Sequence, residues 1–458
     1  MDDNNYSVNP LETEEVSGLF IRLAIPTVFA QLVTLIYNIV DRIYIGHIAE
    51  YGNLALTSMG ICAPIMIMIQ AFASLFGGGG APKASIFLGK KKNRIAQRIL
   101  GNSFMVMLVV SVVLTIVFRV FSTELLMAFG ASEKTLPYAL EYMNIYVLGT
   151  VFMQISVSLN AFITAQGFNK ISMLSVVAGA LCNIILDPVF IYGFQMGVKG
   201  AALATVISQF VSAICVFMFL IGKKTILRIT WQDMINIDRK LLFQCLVLGF
   251  SPFVMSITET AIAACFNTSL LKYGGDVAVG AMAICNTAMQ LVFIPVQGFG
   301  QGAQPIISYN YGADRWDRVT ASFRMLFITN VAVVSGIWII VMLWPDLMVR
   351  MFTSDASLIE YAPGMLRIFM SMCFMMGIQS ACQRTFLALG NAKASLFLAL
   401  LRKIILLIPL IYIMPHFFGD KVFAVFFAEP VADTIATITT FTMFIVYYGK
   451  KFKWKRSQ

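Results

Sequence analysis

FGGGGAPKASIFLG, residues 76–89, and FGQGAQPIISYNYG, residues 299–312, share Phe, Gly, Gly, Pro and Gly at a constant offset of 223 residues. The same offset carries Met59, Ile61 and Cys62 onto Met282, Ile284 and Cys285, and Tyr138 onto Tyr361. It carries Ala165, Gly167, Lys170 and Ser172 onto Ala388, Gly390, Lys393 and Ser395, so the register survives without a gap. The buried acids are not copied: Asp187 falls on Leu410, and Asp41 on Ala264, or on Asn267 if Pro26 is aligned with Pro252. Two halves share a scaffold but not a charge, which in a membrane carrier points to one half as the place where an ion binds.

A chain of 458 residues that is 59% hydrophobic and 12% charged departs far from soluble proteins, where about 25% of residues are charged. Crossing a hydrocarbon core takes about 20 helical residues. Runs of that kind lie near 19–45, 54–78, 98–121, 138–163, 171–193 and 198–221, and again near 242–271, 277–303, 320–344, 361–384, 395–414 and 421–447. The expected fold is an all-α integral membrane protein of twelve transmembrane helices in two six-helix lobes. An even number of spans per half makes the repeat parallel. The segments expected are an N-terminal tail 1–17, an N-lobe 18–222, a linker 223–240, a C-lobe 241–447 and a basic tail 448–458.

Lys and Arg in short loops set orientation. Lys90, Lys91, Lys92, Arg94, Arg98, Lys223, Lys224, Arg315, Arg318 and the tail from Lys450 fall on one side, with few bases opposite. Both termini are therefore expected in the cytoplasm. The formal charge of +10 is then a topology signal and not a nucleic-acid footprint. The acidic opening MDDNNYSVNPLETEEVSG lacks the basic n-region of a cleaved leader, so none is expected. The eight cysteines fall inside spans as packing residues, without disulfides, and His47 and His416 have no partner at metal-ligand spacing. Trp231 and Ile235 would let part of the linker lie as an interfacial helix, or it is a plain loop. Prolines 26, 64, 252, 295 and 409 interrupt spans and bend them.

An ionised aspartate at mid-membrane costs about 2.5–3.5 kcal/mol on insertion scales, so it needs a partner, water or a function. Asp187, in ALCNIILDP, shares a helical face with Asn183, four residues earlier, as Asp41 does with Tyr37. Thr205 of the sixth span reaches a similar depth. Together, Tyr37, Asp41, Asn183, Asp187 and Thr205 form a candidate cation-coupling set, able to hold a proton or to wrap a sodium ion in oxygens. The plain alternatives are Asp41 paired with Arg42 and Asp187 capping a break before Pro188. Glu259 and Asn160 are candidate substrate contacts. Glu429 and Asp433 share a face and either line a vestibule or pack against polar neighbours. FGGGGAPK lacks the Ser or Thr after lysine of a phosphate loop, and its glycines suit close helix approach at the end of the second span. Some of the 27 Met and 38 Phe residues would line a soft pocket, most of them packing helices or facing lipid.

GGAPKASIFLGKKKNRIAQR (79–98) and VQGFGQGAQPIISYNYGADRWDRV (296–319) resemble the paired loops of multidrug and toxic compound extrusion (MATE) transporters, over about residues 15–450. ALCNIILDPVFIYGF (180–194) is similar to the fifth-span motif of the prokaryotic DinF-like and MepA-like branch. The resemblance implies export of organic cations and amphipathic drugs, driven by inward H+ or Na+ through alternating access. It places coupling at Asp41 and Asp187 with Tyr37, Asn183 and Thr205 beside them, and offers Pro26 as the hinge of the first helix. Glu259 lies near an acid used by the NorM-like branch, but that branch's tenth-span acid is missing here. No cofactor beyond the coupling ion, and no partner beyond substrates and lipids, is implied; a monomer can be complete.

Other carriers fit less well. The major facilitator superfamily places an aspartate-arginine pair in the loop that here reads LGKKKNRIAQR. A lipid-linked precursor flippase of the same superfamily is the alternative, though it usually carries extra spans and basic cavity residues. An enzyme would need a nucleophile, base or metal cluster, and only isolated acids are visible. A receptor or scaffold would have no use for midplane acids.

Overall fold

Hydrophobic runs of this length must satisfy their backbone polar groups internally, and they do so as helices. In the computed structural model, residues 9–48, 51–353 and 355–456 are described; the first eight residues of the expected N-terminal tail and the side chains of the basic tail from Lys450 lie outside the description. The spans of the first half are α1 (Val16–Gly46), α2 (Gly52–Gly89), α3 (Asn93–Val120), α4 (Leu136–Ala165), α5 (Asn169–Gly193) and α6 (Val198–Ile221). The helical stretch Arg239–Gly312 is 74 residues long, about 110 Å at 1.5 Å per residue and far beyond one crossing. Gly275, at φ 65° and ψ −160°, turns it back on itself, giving α7 (239–274) and α8 (276–312). α9 is Trp316–Leu343; α10 is the bent pair Ala356–Phe369 and Cys373–Ala388, at 44°; α11 is Ala392–His416 and α12 Lys421–Arg456. The described residues therefore form twelve spans, six on each side of a linker that holds one short helix, Trp231–Ile235, capped by Thr230. Trp231 is exposed, whereas Met234 and Asp233 are buried against α3.

Three cores explain the shape. One, at the end that carries the N-terminus and the 90–92 loop, is shared by both halves: Leu11, Phe20, Leu88, Phe162 and Leu220 pack with Cys245, Ile306, Tyr309 and Ala388. The other two are private. Ile45, Ile65, Leu114, Tyr142 and Val198 belong to the first half alone, and Phe266, Met282, Val334, Leu366 and Phe426 to the second. The lobes are joined at one end and separately filled at the other.

The glycines expected to end the second span instead lie inside α2, which runs on to Gly89. The helix continues because those glycines face other helices, not water: Gly77 and Gly79 meet backbone, Gly78 the Pro252 ring and Gly80 the Phe162 ring. A Cβ on Gly89 would sit 1.9 Å from the Tyr309 carbonyl oxygen, and one on Gly312 would sit 2.0 Å from that of Ile86. These are the same contact reflected through the repeat, since Ile86 and Tyr309 are themselves 223 residues apart. Gly79 meets Gly249 of α7, and Gly302 meets Ala24 of α1, in the corresponding crossings above. Across the same seam Thr27 Oγ1 donates to the Gly298 carbonyl at 2.7 Å, and the Phe72 and Phe253 rings meet edge to face at 5.0 Å.

A strap closes the joined end. Leu11, in the short helix Pro10–Thr13, is 1% exposed; Asn310 Nδ2 donates to its carbonyl at 2.9 Å, and Arg318 Nη2 donates to the Glu14 carbonyl at 2.6 Å. Lys91 from the first half and Tyr309 from the second both donate to Glu12, and the Lys91 ammonium holds that carboxyl below the usual carboxylate range. Because the seam is made of backbone contacts, a methyl group there has nowhere to go. Gly89→Ala or Gly312→Ala should lower the thermal unfolding midpoint in detergent by an amount corresponding to about 3 kcal/mol, the severe end of overpacking. Gly60→Ala, with nothing within 4 Å, should leave it unchanged or slightly raised.

Candidate functional site

Inside the first lobe, α1, α4, α5 and α6 bring polar side chains to one level of an otherwise apolar core. Asp41 of α1 is 7% exposed and Asp187 of α5 is 0% exposed. Their carboxyl groups face each other within hydrogen-bonding reach, which is favourable when one holds a proton or both share a cation. Asn183 Nδ2 donates to Asp187 Oδ1 at 3.3 Å, one helical turn away on α5. Tyr37 stands one turn before Asp41 and within its field. Thr205, buried on α6, donates to its own helix at the Ala201 carbonyl, 3.0 Å, and meets the Tyr142 phenol.

Three buried oxygens in this group, Asp41 Oδ1, Asp187 Oδ2 and Asn183 Oδ1, have no hydrogen-bond partner. Orphaned acceptors of this kind, with no donor aimed at them and no base in ion-pairing distance among the described residues, suit a small cation with oxygen ligands. Among the described residues no ion pair joins Asp41 to Arg42, which is exposed while Asp41 is buried. Nor does Asp187 cap a break: the helix runs Asn169–Pro188 and continues as a π-helical turn, Val189–Gly193. α1 likewise passes unbroken through Pro26.

Sequence reasoning missed the tyrosines here. Tyr142 and Tyr146 of α4, stacked with centroids 5.8 Å apart, are buried beside this group, and Tyr146 meets Gln209 of α6. They carry no charge and sit in the fourth span, so nothing but helical spacing marks them. Asn160 does not join this group; its Nδ2 donates to Ser172 O at 3.4 Å and Ser175 Oγ at 3.3 Å, tying α4 to α5.

The second lobe treats its acids differently. Arg402 and Lys403, on the π-helical stretch Leu401–Leu407 of α11, are 6% and 4% exposed. Arg402 Nε binds Asp433 Oδ1 at 2.7 Å, its Nη2 reaches Glu429 Oε1 at 3.4 Å, and Lys403 Nζ binds Glu259 Oε1 at 3.1 Å. Glu429 and Asp433 thus pack against a polar neighbour, and Glu259, half exposed, is held by a lysine. Both bases were visible in ALLRKIILLIP (399–409) but were not weighed as buried charges.

Removing one partner of a buried ion pair strands the others, whereas neutralising an unpaired acid strands nothing. Arg402→Met should therefore destabilise the protein by about 3–5 kcal/mol, read as a fall in its unfolding midpoint. Asp187→Asn should leave that midpoint unchanged or raise it.

A profile of the family described as MatE matches residues 26–189 and 252–413. The multidrug export protein MepA of Staphylococcus saprophyticus is 26% identical over 437 residues, covering 94% of each chain. MepA of Staphylococcus aureus strain NCTC 8325 is 25% identical over 439 residues, covering 95% of this chain and 94% of that one. Among solved structures, an outward-facing multidrug resistance MATE family transporter of the MOP superfamily superposes with a TM-score of 0.91 at 21% identity, covering 98% of this chain and 99% of its own. A MATE protein superposes at 0.90 and 21% identity in both its bent form, covering 97% of each chain, and its straight form, covering 98% of this chain and 99% of that one.

Proposed function

The chain belongs to the MatE family, a family of transporters and not of enzymes, and we propose that it exports organic cations and other amphipathic drugs in exchange for H+ or Na+. Multidrug export is what the staphylococcal relatives are named for. The observation that carries the exchange is the contrast between lobes: Asp41 and Asp187 meet with no base and three orphaned oxygens, while Glu259, Glu429 and Asp433 are each paired to a base.

Two carboxylates in contact repel unless a cation lies between them or one is protonated. Loading draws α1 toward α5, and unloading lets them part. Asn183 fixes the Asp187 carboxyl by its amide, Tyr37 and Tyr142 wall the chamber, and Thr205 lies beside it. The shared core is the pivot, and Pro26, with no N–H to give its helix, is where α1 bends. An inward charge gains about 2.3 kcal/mol per 100 mV, whichever ion carries it. The basic loops 90–92 and 223–224 lie in the cytoplasm of a prokaryotic cell in this reading, and the end filled by the private cores faces outward. The fused lobes work as a monomer.

Reconstituted into liposomes, the protein should export a cationic dye against its gradient when either a pH or a sodium gradient is imposed, and the arm that works names the ion. Asp41→Asn and Asp187→Asn should each stop uphill export while leaving the folded protein intact. Dye export driven equally well by the double variant would overturn the reading. Pro26→Ala should slow export without preventing ion binding.

A further inference from the structure

At the joined end of the lobes a cavity of about 320 Å³ opens between α2, the first turns of α7 and the turn from α10 into α11, lined by Lys83, Gln244, Val247, Asn391 and Lys393 and bordered by the exposed ring of Phe243. It holds two lysines and no acid. Lys83 is half-buried in α2, within about 10 Å of its end at Gly89, and among the described residues neither it nor Lys393 has a carboxylate partner. The three buried bases are paired: Arg402 and Lys403 have acids, and Arg318 has carbonyls and Asn310; among half-buried ones Arg384 donates to Gln297, while Arg98 Nε, like Lys83, lacks a partner among the described residues. Lys83 is also absent from the repeat, since its counterpart is Ile306, whereas Lys393 repeats as Lys170.

From these observations we infer that the cavity binds a phosphate-bearing anion, with Lys83 and Lys393 as its counter-charges. Basic pockets between transmembrane helices at the headgroup level take phospholipid headgroups, each lysine contributing through a charge that the lipid surface supplies. Phe243, exposed at the rim, would lie along the acyl chain of such a lipid. Lys83 comes from the first lobe and every other lining residue from the second. The site is complete only while the lobes are together at this end, so its ligand favours that state over the one in which they part there.

The test is native mass spectrometry of the detergent-purified full chain with added dioleoyl phosphatidylglycerol or dioleoyl phosphatidylcholine, alongside unfolding midpoints in each lipid and in sodium phosphate. The wild type and a Lys170→Met control should retain phosphatidylglycerol and gain in midpoint. The Lys83→Met/Lys393→Met pair should bind it about 25-fold more weakly, or roughly fivefold for each lysine. Lys393→Met alone, at an exposed position, gives the single-lysine loss if the double variant folds poorly. A gain from sodium phosphate alone, lost in the same variants, would assign the site to the free anion; a gain from phosphatidylglycerol only assigns it to lipid. Equal retention of phosphatidylglycerol by the variants and the wild type, or no preference for it over phosphatidylcholine together with no response to phosphate, overturns the inference.

Discussion

Two helices crossing with their backbones in contact set the geometry of everything else in this molecule. At Gly89 and Gly312 the carbonyls of Tyr309 and Ile86 occupy the space a side chain would fill. Between helices in a membrane there is little hydrophobic drive, so association rests on close van der Waals fit, which small residues permit. Because the two contacts are copies of one another, a single local solution, applied twice, builds the axis about which the lobes are related. The shared core around Leu88 and Ile306 follows from that crossing, and so does the separation of the lobes beyond it.

On this symmetric frame the charges are asymmetric. Burying an ionised group without a partner is costly, and the two lobes meet that cost in opposite ways. The second lobe pairs three acids with Arg402 and Lys403. The first leaves Asp41 and Asp187 against each other, a pair whose stability depends on what is bound. Charge compensation is thus built into one lobe and left open in the other, the difference on which the proposed ion exchange rests.

The fold was legible because repeats, hydropathy and basic loops are all carried by many residues at once. The candidate site was legible where it carried charge: a lone Asp187 in ALCNIILDP cannot be averaged away. Arg402 and Lys403 were equally conspicuous residues, but basic residues were assigned to loops, and a pair enclosed by leucines and isoleucines was passed over. The partners of Arg402 lie 27 and 31 residues away on α12 and that of Lys403 lies farther still, on α7, separations that no single-helix pattern records. Tyr142 and Tyr146 were illegible for a different reason, since aromatic residues are common throughout this chain and only packing tells a chamber wall from a lipid-facing ring. The glycine run was read correctly as permitting close approach but placed at a helix end; what prolongs the helix is the other lobe, which sequence periodicity within α2 does not contain.

The connections between the first two helices of each half differ in length. α7 and α8 are joined by Gly275 alone, with no intervening loop, so a tilt of either is transmitted to the other as through a stiff hairpin. α1 ends at Gly46 and α2 begins at Gly52, and there the two ends meet backbone to backbone, since a Cβ on Gly52 would sit 2.2 Å from the Gly46 carbonyl oxygen. The helix bearing Asp41 is therefore abutted by its neighbour at that end, as its counterpart is at Gly275. Whatever bending either half performs has to be taken up within a helix and not at these corners.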